Sequence, residues 1–232
     1  MEHGKFMVGC WAIWECRNKA LFEGNEVNPK RVLQRVCDVV EEIASEGFGG
    51  KESRLKANKN PGVGIGDRQG WQDAEEGMVK LNVDAGIMAG VGVGFGMVCR
   101  SSGGRVEWGL SILQAQMLEP HMAEAVAILE GLKEAARKGH DKLMVESDCL
   151  QVIDALRNHK HGRSLFHLVL DDILILCSSF SLVVWSYTSR KNNTVAHALA
   201  HTLVNEFGRV EWSDNLPPTA SSAVLFDLSL MK

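Results

Sequence analysis

Val79-Lys80-Leu81-Asn82-Val83-Asp84 alternates apolar and polar side chains without a break, the period of a strand with one buried face. Val79, Leu81 and Val83 share one side; Lys80, Asn82 and Asp84 share the other, with Asp84 expected to end the strand. Downstream, Val91 to Cys99 predicts a second strand, its glycines interleaved with Val91, Val93, Phe95 and Met97. Ser101 to Gly104 is turn chemistry, and Arg105 to Leu113 a third strand. Pro120 then opens a helix, at the position where a missing N–H costs nothing, and Lys138-Gly139 closes it. Its core face is Ala125, Ile128, Leu129, Leu132, Ala135 and Ala136. Lys142 to Ser147 is a fourth strand. A helix follows from Cys149, with Asp148 suited to its cap, and another runs from Ser164 to Cys177. Leu182 to Thr188 is a fifth strand and Thr194 to Asn205 a last helix. Three consecutive antiparallel strands followed by strand–helix crossovers predict an α/β fold: a five-stranded mixed sheet with flanking helices.

Upstream of this core the pattern changes. Residues 1–46 read as a short helical segment. Trp11, Trp14, Ala20 and Leu21 form a rough stripe, and after Asn28-Pro29 the residues Val32, Leu33, Val36, Val39, Val40 and Ile43 form a better one. Residues 47–70 turn to Gly, Lys, Asn and Asp with no apolar period, the composition of a flexible linker. The Gly-rich pieces Gly62 to Gly66 and Gly90 to Gly96 never complete G-x-G-x-x-G, which disfavours a dinucleotide site and any small-molecule cofactor. Six cysteines lie far apart with no C-x-x-C pair, arguing against a disulfide scaffold and for a reducing compartment. Phe6 to Trp14 is too short to span a bilayer and lacks a cleavage site. The chain is therefore expected to be intracellular, nuclear or cytoplasmic, not secreted, away from membranes and a monomer.

Charge sharpens the question of function. The net charge is −4, and Lys/Arg and Asp/Glu balance between Met78 and Val204. Non-specific nucleic-acid affinity depends on basic residues releasing counterions, so affinity from that source is weak here. The acids need another explanation. Asp84 and Asp148 are placed at the ends of the first and fourth strands, and Glu124 in the first turn of the first long helix. If the crossover helix returns the chain beside the first strand, the three carboxylates converge and repel unless a cation lies between them. Hard oxygen ligands suit Mg²⁺ or Mn²⁺, and two such ions about 3.5–4 Å apart serve phosphodiester cleavage. Glu146 shares a face with Asp148 by alternation and is a rival ligand; each acid could also be a solvated surface group.

The same residues carry a resemblance. Trp71…Gly77-x-x-Lys80-Leu81-Asn82-Val83-Asp84, Ala123-Glu124-Ala125, Val145-Glu146-Ser147-Asp148 and Arg190-x-x-Asn193-x-Val195-Ala196-His197-x-Leu199-Ala200 resemble the plant ribonuclease H-like domain of non-LTR retrotransposon origin, often called reverse-transcriptase-like. The resemblance spans residues 71–227, including the Trp212…Pro217-Pro218…Asp227 tail. It implies a ribonuclease H-like domain over 71–208, a tail over 209–232, and catalytic, metal-binding roles for Asp84, Glu124 and Asp148. Two departures stand out. Ala85 separates Asp84 from Gly86, and His197 occupies the place of a fourth acid in active ribonucleases H. His197 could ligate metal, relay a proton or be an ordinary helix residue. His197 and His201 are one turn apart, but Ala198 stands where a zincin helix has Glu, so zinc at this pair is disfavoured. Trp11 to Gly24 resembles the end of the zinc-binding region that precedes such domains, without its Cys and His ligands. Tyr187 is the sole tyrosine and Thr188 follows it, so the polymerase Y-x-D-D motif is absent.

The activity implied is metal-dependent endonucleolytic cleavage of the RNA strand of RNA–DNA hybrids, with Lys80, Asn82, Arg190, Lys191 and Asn193 as candidates for phosphate or sugar contacts. Asn193 equally suits a helix cap. The competing reading is a nucleic-acid-binding remnant of a retrotransposon with little or no catalysis. It draws on His197, the balanced charge, and the lack of a basic insertion between Arg157 and Ser164.

Overall fold

β1 (Val79–Met88) lies inside a six-stranded sheet and divides it into two kinds of pairing. On one side it runs parallel to β4 (Lys142–Ser147), which runs parallel to β5 (Leu182–Tyr187). On the other it pairs antiparallel with β2 (Gly92–Arg100), followed by β3 (Val106–Gln114) and β6 (Gly208–Trp212). The order is β5-β4-β1-β2-β3-β6. This computed structural model describes residues 71–230, apart from His161, Arg163, Val204 to Glu206 and Asp214. The helical segment expected over 1–46 and the linker over 47–70 lie outside the described residues.

The apolar sides of the strands meet α1 (Pro120–Arg137), α2 (Leu150–Arg157) and α3 (Leu165–Cys177). Leu81, Val83, Phe95, Met97, Leu110 and Ile112 from the sheet pack with Ile128, Leu132, Ile153, Leu156, Leu170 and Ile173 from these helices. All are buried, so truncating one such aliphatic side chain to Ala should cost about 2–5 kcal/mol. Gly131 brings α1 close to the sheet: a Cβ there would lie 3.2 Å from both Leu81 Cδ2 and Val83 Cγ1.

The opposite side carries α4 (Thr194–Ala200) and α5 (Pro218–Leu230) around a smaller cluster of Val98, Val195, Leu199 and Ala220. The glycines of β2 find their purpose here. A Cβ at Gly94 or Gly96 would collide with the backbone carbonyl of Ala200 or Ala196, so only glycine lets α4 lie this close to the strand. Ser111 Oγ donates to Leu199 O at 2.9 Å and accepts from Trp212 Nε1 at 3.1 Å, fixing α4 and β6 to one point of β3.

The structure corrects four expectations. The sheet has six strands, not five, because Gly208–Trp212, expected to fall in the tail, pairs with β3 and is held by ion pairs from Glu211 to Arg137 and Lys138. The tail also includes α5, whose Asp227 makes a 2.7 Å buried ion pair with Arg100. Asp84 does not end its strand. The parallel ladder with β4 stops at Asn82↔Glu146, while the antiparallel ladder with β2 continues to Met88↔Gly92. Asp148 is not the cap of α2: Cys149 holds that position, and Ser147 Oγ accepts the Cys149 N–H at 3.0 Å. Finally, α4 ends at Ala200, with His201 in the C-cap position. The mixed sheet with helices on both faces is the α/β architecture expected, with six strands in place of five.

Candidate active site

The site forms where β1 outruns β4. Asp84 stands two residues past the last parallel rung, Asp148 follows the end of β4, and Glu124 reaches across from the first turns of α1. One carboxylate oxygen from each of the three lies within 4.8 Å of the others. Open α/β sheets place chemistry beyond the carboxyl ends of parallel strands because the chain diverges there and leaves room.

Electrostatics follow from this crowding. Glu124 Oε1 accepts the Ala85 N–H at 3.2 Å and Oε2 accepts the Ser147 hydroxyl at 3.2 Å. These donors favour the charged form, yet burial, then the charges of Asp84 and Asp148, push the Glu124 carboxyl up to about 9. Burial and Asp84 also raise Asp148, opposed by the nearby Arg190 and His197. Three acids that cannot all ionise comfortably form a site whose charge a divalent cation would neutralise. The all-oxygen donor set is that of Mg²⁺ or Mn²⁺.

His197, on the first turn of α4, points into this group: its Nδ1 lies 2.8 Å from Asp84 Oδ2. Arg190 sits in a short turn, Arg190–Asn192, and is exposed, as is Lys191. Lys80 and Asn82 are placed differently. Lys80 is 1% exposed, with Nζ 2.8 Å from Glu146 Oε1 and donating to Gln72 O at 2.5 Å. Asn82 is fully buried and donates to Glu146 Oε2 at 3.0 Å and Asn193 Oδ1 at 3.3 Å. Both form the floor beneath the acids, away from any surface a nucleic acid could touch. Glu146, the rival ligand, is engaged in that floor. Strand alternation stops at Ser147, so Glu146 and Asp148 do not share a site. Asn193 is the N-cap of α4 by position, but its side chain makes no capping bond. It donates instead to Val83 O at 2.8 Å, tying α4 to β1.

Three participants escaped the sequence reading. Ser147 supplies a hydroxyl to Glu124, the Ala85 amide supplies a second donor, and Trp71 closes the floor with Nε1 3.3 Å from Asn82 Oδ1. Arg100 stacks on the same indole, 4.3 Å from its centroid. A serine next to an acid, or a main-chain N–H, carries no local signal of such a role. The partners lie on other elements.

Residues 82–203, just over half of the chain, match the family described as Reverse transcriptase-like. The chain belongs to this family. The matched span takes in Asp84, Glu124, Asp148 and His197 of this reverse transcriptase-like protein. Among solved structures it is similar to RNase H1 from the halophilic archaeon Halobacterium salinarum, at 20% identity and TM-score 0.49, over 53% of this chain and 93% of that one. It is also similar to an N-terminal RNase H domain from Mycobacterium tuberculosis, at 18% identity and TM-score 0.49, over 64% and 97%. A third similar structure is LC11-RNase H1 in complex with RNA/DNA hybrid, isolated from compost, at 16% identity and TM-score 0.48, over 52% and 92%. No curated protein matches the sequence. Among the described residues no helix is long and apolar enough to cross a membrane.

Proposed function

We propose that this protein is a divalent-metal-dependent endonuclease acting on the RNA strand of RNA–DNA hybrids. The observation that carries the reading is the convergence of Asp84, Glu124 and Asp148 within 4.8 Å, buried enough to hold Glu124 protonated without a cation. Asp84, Glu124 and Asp148 would hold Mg²⁺ or Mn²⁺, two ions in the full complement. The ions would supply a water activated for attack and charge neutralisation at the leaving oxygen. Around them the chain's own groups have plain tasks. Ser147 and the Ala85 amide hold the Glu124 carboxylate in one orientation, and the floor of Lys80, Glu146, Asn82 and Asn193 fixes the separation of β1, β4 and α4. Arg190, whose charge acts on Asp148, and the exposed Lys191 next to it in the chain would meet a phosphate. Hybrid selectivity would rest on helix shape and the 2′-hydroxyl. We further read the chain as an intracellular, retrotransposon-derived plant protein.

A nucleic-acid-binding remnant is the second reading, favoured by His197 where a carboxylate would add negative charge. One assay separates them. A labelled hybrid incubated with Mg²⁺, then Mn²⁺, should be cut in the RNA strand by wild type and not by D84N. Cleavage absent with both ions, while the hybrid still binds, selects the remnant. His197→Asp should raise Mg²⁺-supported cleavage; equal activity of wild type, H197D and H197A would leave His197 a helix residue only.

A further inference from the structure

Asp227 is the only charged residue of α5, and the fold buries it. It is 2% exposed, whereas its neighbours Leu225 and Phe226 are 69% and 60% exposed. A helix that hides its lone carboxylate and shows leucine and phenylalanine to solvent inverts the usual distribution. The reason lies in Arg100, at the end of β2. Its side chain is buried, and Nη1 donates to Asp227 Oδ2 at 2.7 Å. The guanidinium also lies on the Trp71 indole, and Nη2 is 3.5 Å from Asn82 Oδ1. Arg100 Nε is buried with no hydrogen-bond partner, and among the described residues Asp227 is the one carboxylate paired with Arg100. From there the contacts run into the candidate site. Asn82 donates to Asn193 Oδ1, Asn193 donates to Val83 O, and Val83 precedes Asp84. Charge follows the same route. The buried cations Lys80 and Arg100 are matched by the buried carboxylates Glu146 and Asp227, so the floor carries no net charge. A guanidinium stays protonated in proteins. Without the Asp227 carboxylate the floor would hold one positive charge. Glu146, whose charge already acts on Arg100, would then be drawn from Lys80 and Asn82.

We propose that Asp227 is a positioning residue for the cation site: by neutralising Arg100 it keeps the floor beneath Asp84 without net charge, so that α5 sets how tightly the three acids hold a divalent ion. The inference rests on the reading of Asp84, Glu124 and Asp148 as a cation site, and not on cleavage of nucleic acid. At a strand rise of ~3.3 Å per residue, Asn82 lies about 7 Å along β1 from Asp84. A positive charge near that range, in a partly buried setting, repels a divalent ion strongly enough to change its affinity several-fold. The Trp212…Pro217-Pro218…Asp227 tail thereby gains a task. Pro218 opens α5, Ala220 seats it against Val98, Val195 and Leu199, and Asp227 meets Arg100 near the helix's other end.

The test is Mn²⁺ calorimetry on the full chain, with D84N as the blank for uptake elsewhere. D227N, isosteric but neutral, should bind Mn²⁺ at least about fivefold more weakly than wild type. R100M should bind it at least as tightly as wild type, because that change removes a positive charge. R100M/D227L restores neutrality with side chains of similar shape and should fall within about twofold of wild type. A pair that merely fastens α5 would instead give losses in both D227N and R100M. That outcome, wild-type affinity in D227N, or a loss in R100M/D227L as large as that expected of D227N would overturn the proposal. Should D227N fail to fold, R100M and R100M/D227L decide by themselves. Absence of Mn²⁺ uptake by wild type would end the cation reading and this proposal together. Uptake that depends on Asp227, in a protein that cuts no hybrid, would support this proposal and count only against the nuclease reading.

Discussion

At the carboxyl end of β4, Asp84, Glu124 and Asp148 bring three ligand atoms within 4.8 Å; before its amino end, Cys99, Glu107 and His140 do the same. By distance the clusters are equals. Their chemistry differs. His140 Nε2 already accepts a hydrogen bond from Trp108 Nε1 at 2.9 Å, so its lone pair is spent. Cys99 is fully buried, and burial, with the charge of Glu107, pushes its thiol well above its ordinary range. Glu107 is exposed and solvated. That cluster is complete as it stands. The acid cluster carries charge that nothing on the chain fully offsets, and burial, with the charges of Asp84 and Asp148, pushes the Glu124 carboxyl up to about 9. Proximity of ligand atoms thus marks a cation site only where lone pairs remain unspent and charge uncompensated.

Cleavage should separate the clusters most widely. D84N, E124Q or D148N should each lower Mg²⁺-supported hybrid cleavage at least about 100-fold, equivalent to ~2.7 kcal/mol of barrier. C99S and H140A should stay within about twofold of wild type, since neither touches the acids. A gel assay at saturating Mg²⁺ measures both, and a C99S loss matching that of D84N would show that the two clusters do not differ in function.

Thermal stability should respond next. A divalent cation at about 100 times its dissociation constant adds ~2.7 kcal/mol, roughly 5–10 °C of melting temperature for a domain of this size. E124Q should lose most of that increment, and H140A none. The pH dependence has a definite sign. In the folded, cation-free protein Glu124 is raised to about 9, so the folded state binds its proton more tightly than the unfolded chain. The resulting stabilisation is full below the unfolded pKa of roughly 4.3 and is lost as pH rises toward the folded value. Asp148, raised in the same direction, adds to the trend. Cation-free wild type should therefore lose stability between pH 5 and 8, E124Q should show a flatter profile, and added Mn²⁺ should raise the melting temperature more at pH 8 than at pH 5.5. A melting profile for E124Q as steep as wild type would show that Glu124 does not hold the proton.

The smallest effect belongs to the completed cluster. W108F removes the donor to His140 and should cost about 1 kcal/mol, a few degrees in melting temperature, because His140 stays near enough to solvent to find water. Calorimetric Mg²⁺ affinity should not change. A shift in that affinity would mean that the two ends of β4 are coupled.

Particular residues show how far the chain could be read before its structure. The alternation from Val79 to Asp84, the Pro120 and Gly139 signals around α1, and the short apolar strand before Asp148 are local rules, so element types and the mixed sheet were legible. The sixth strand was not: Gly208–Trp212 is short and half-exposed, and it is a strand because β3 offers it a free edge and Glu211 meets Arg137 and Lys138. Lys80 and Asn82 looked like surface groups because alternation assigns a face without saying what covers it. α4 and Trp71 cover that face, and burial converts both residues into the floor of the site. The sequence by itself determined which carboxylates and imidazoles the protein owns and which elements carry or adjoin them. Tertiary structure alone decided which lone pairs are spent within the fold and which remain for a cation, because hydrogen-bond partners such as Trp108 and Ser147 come from elements distant in the chain.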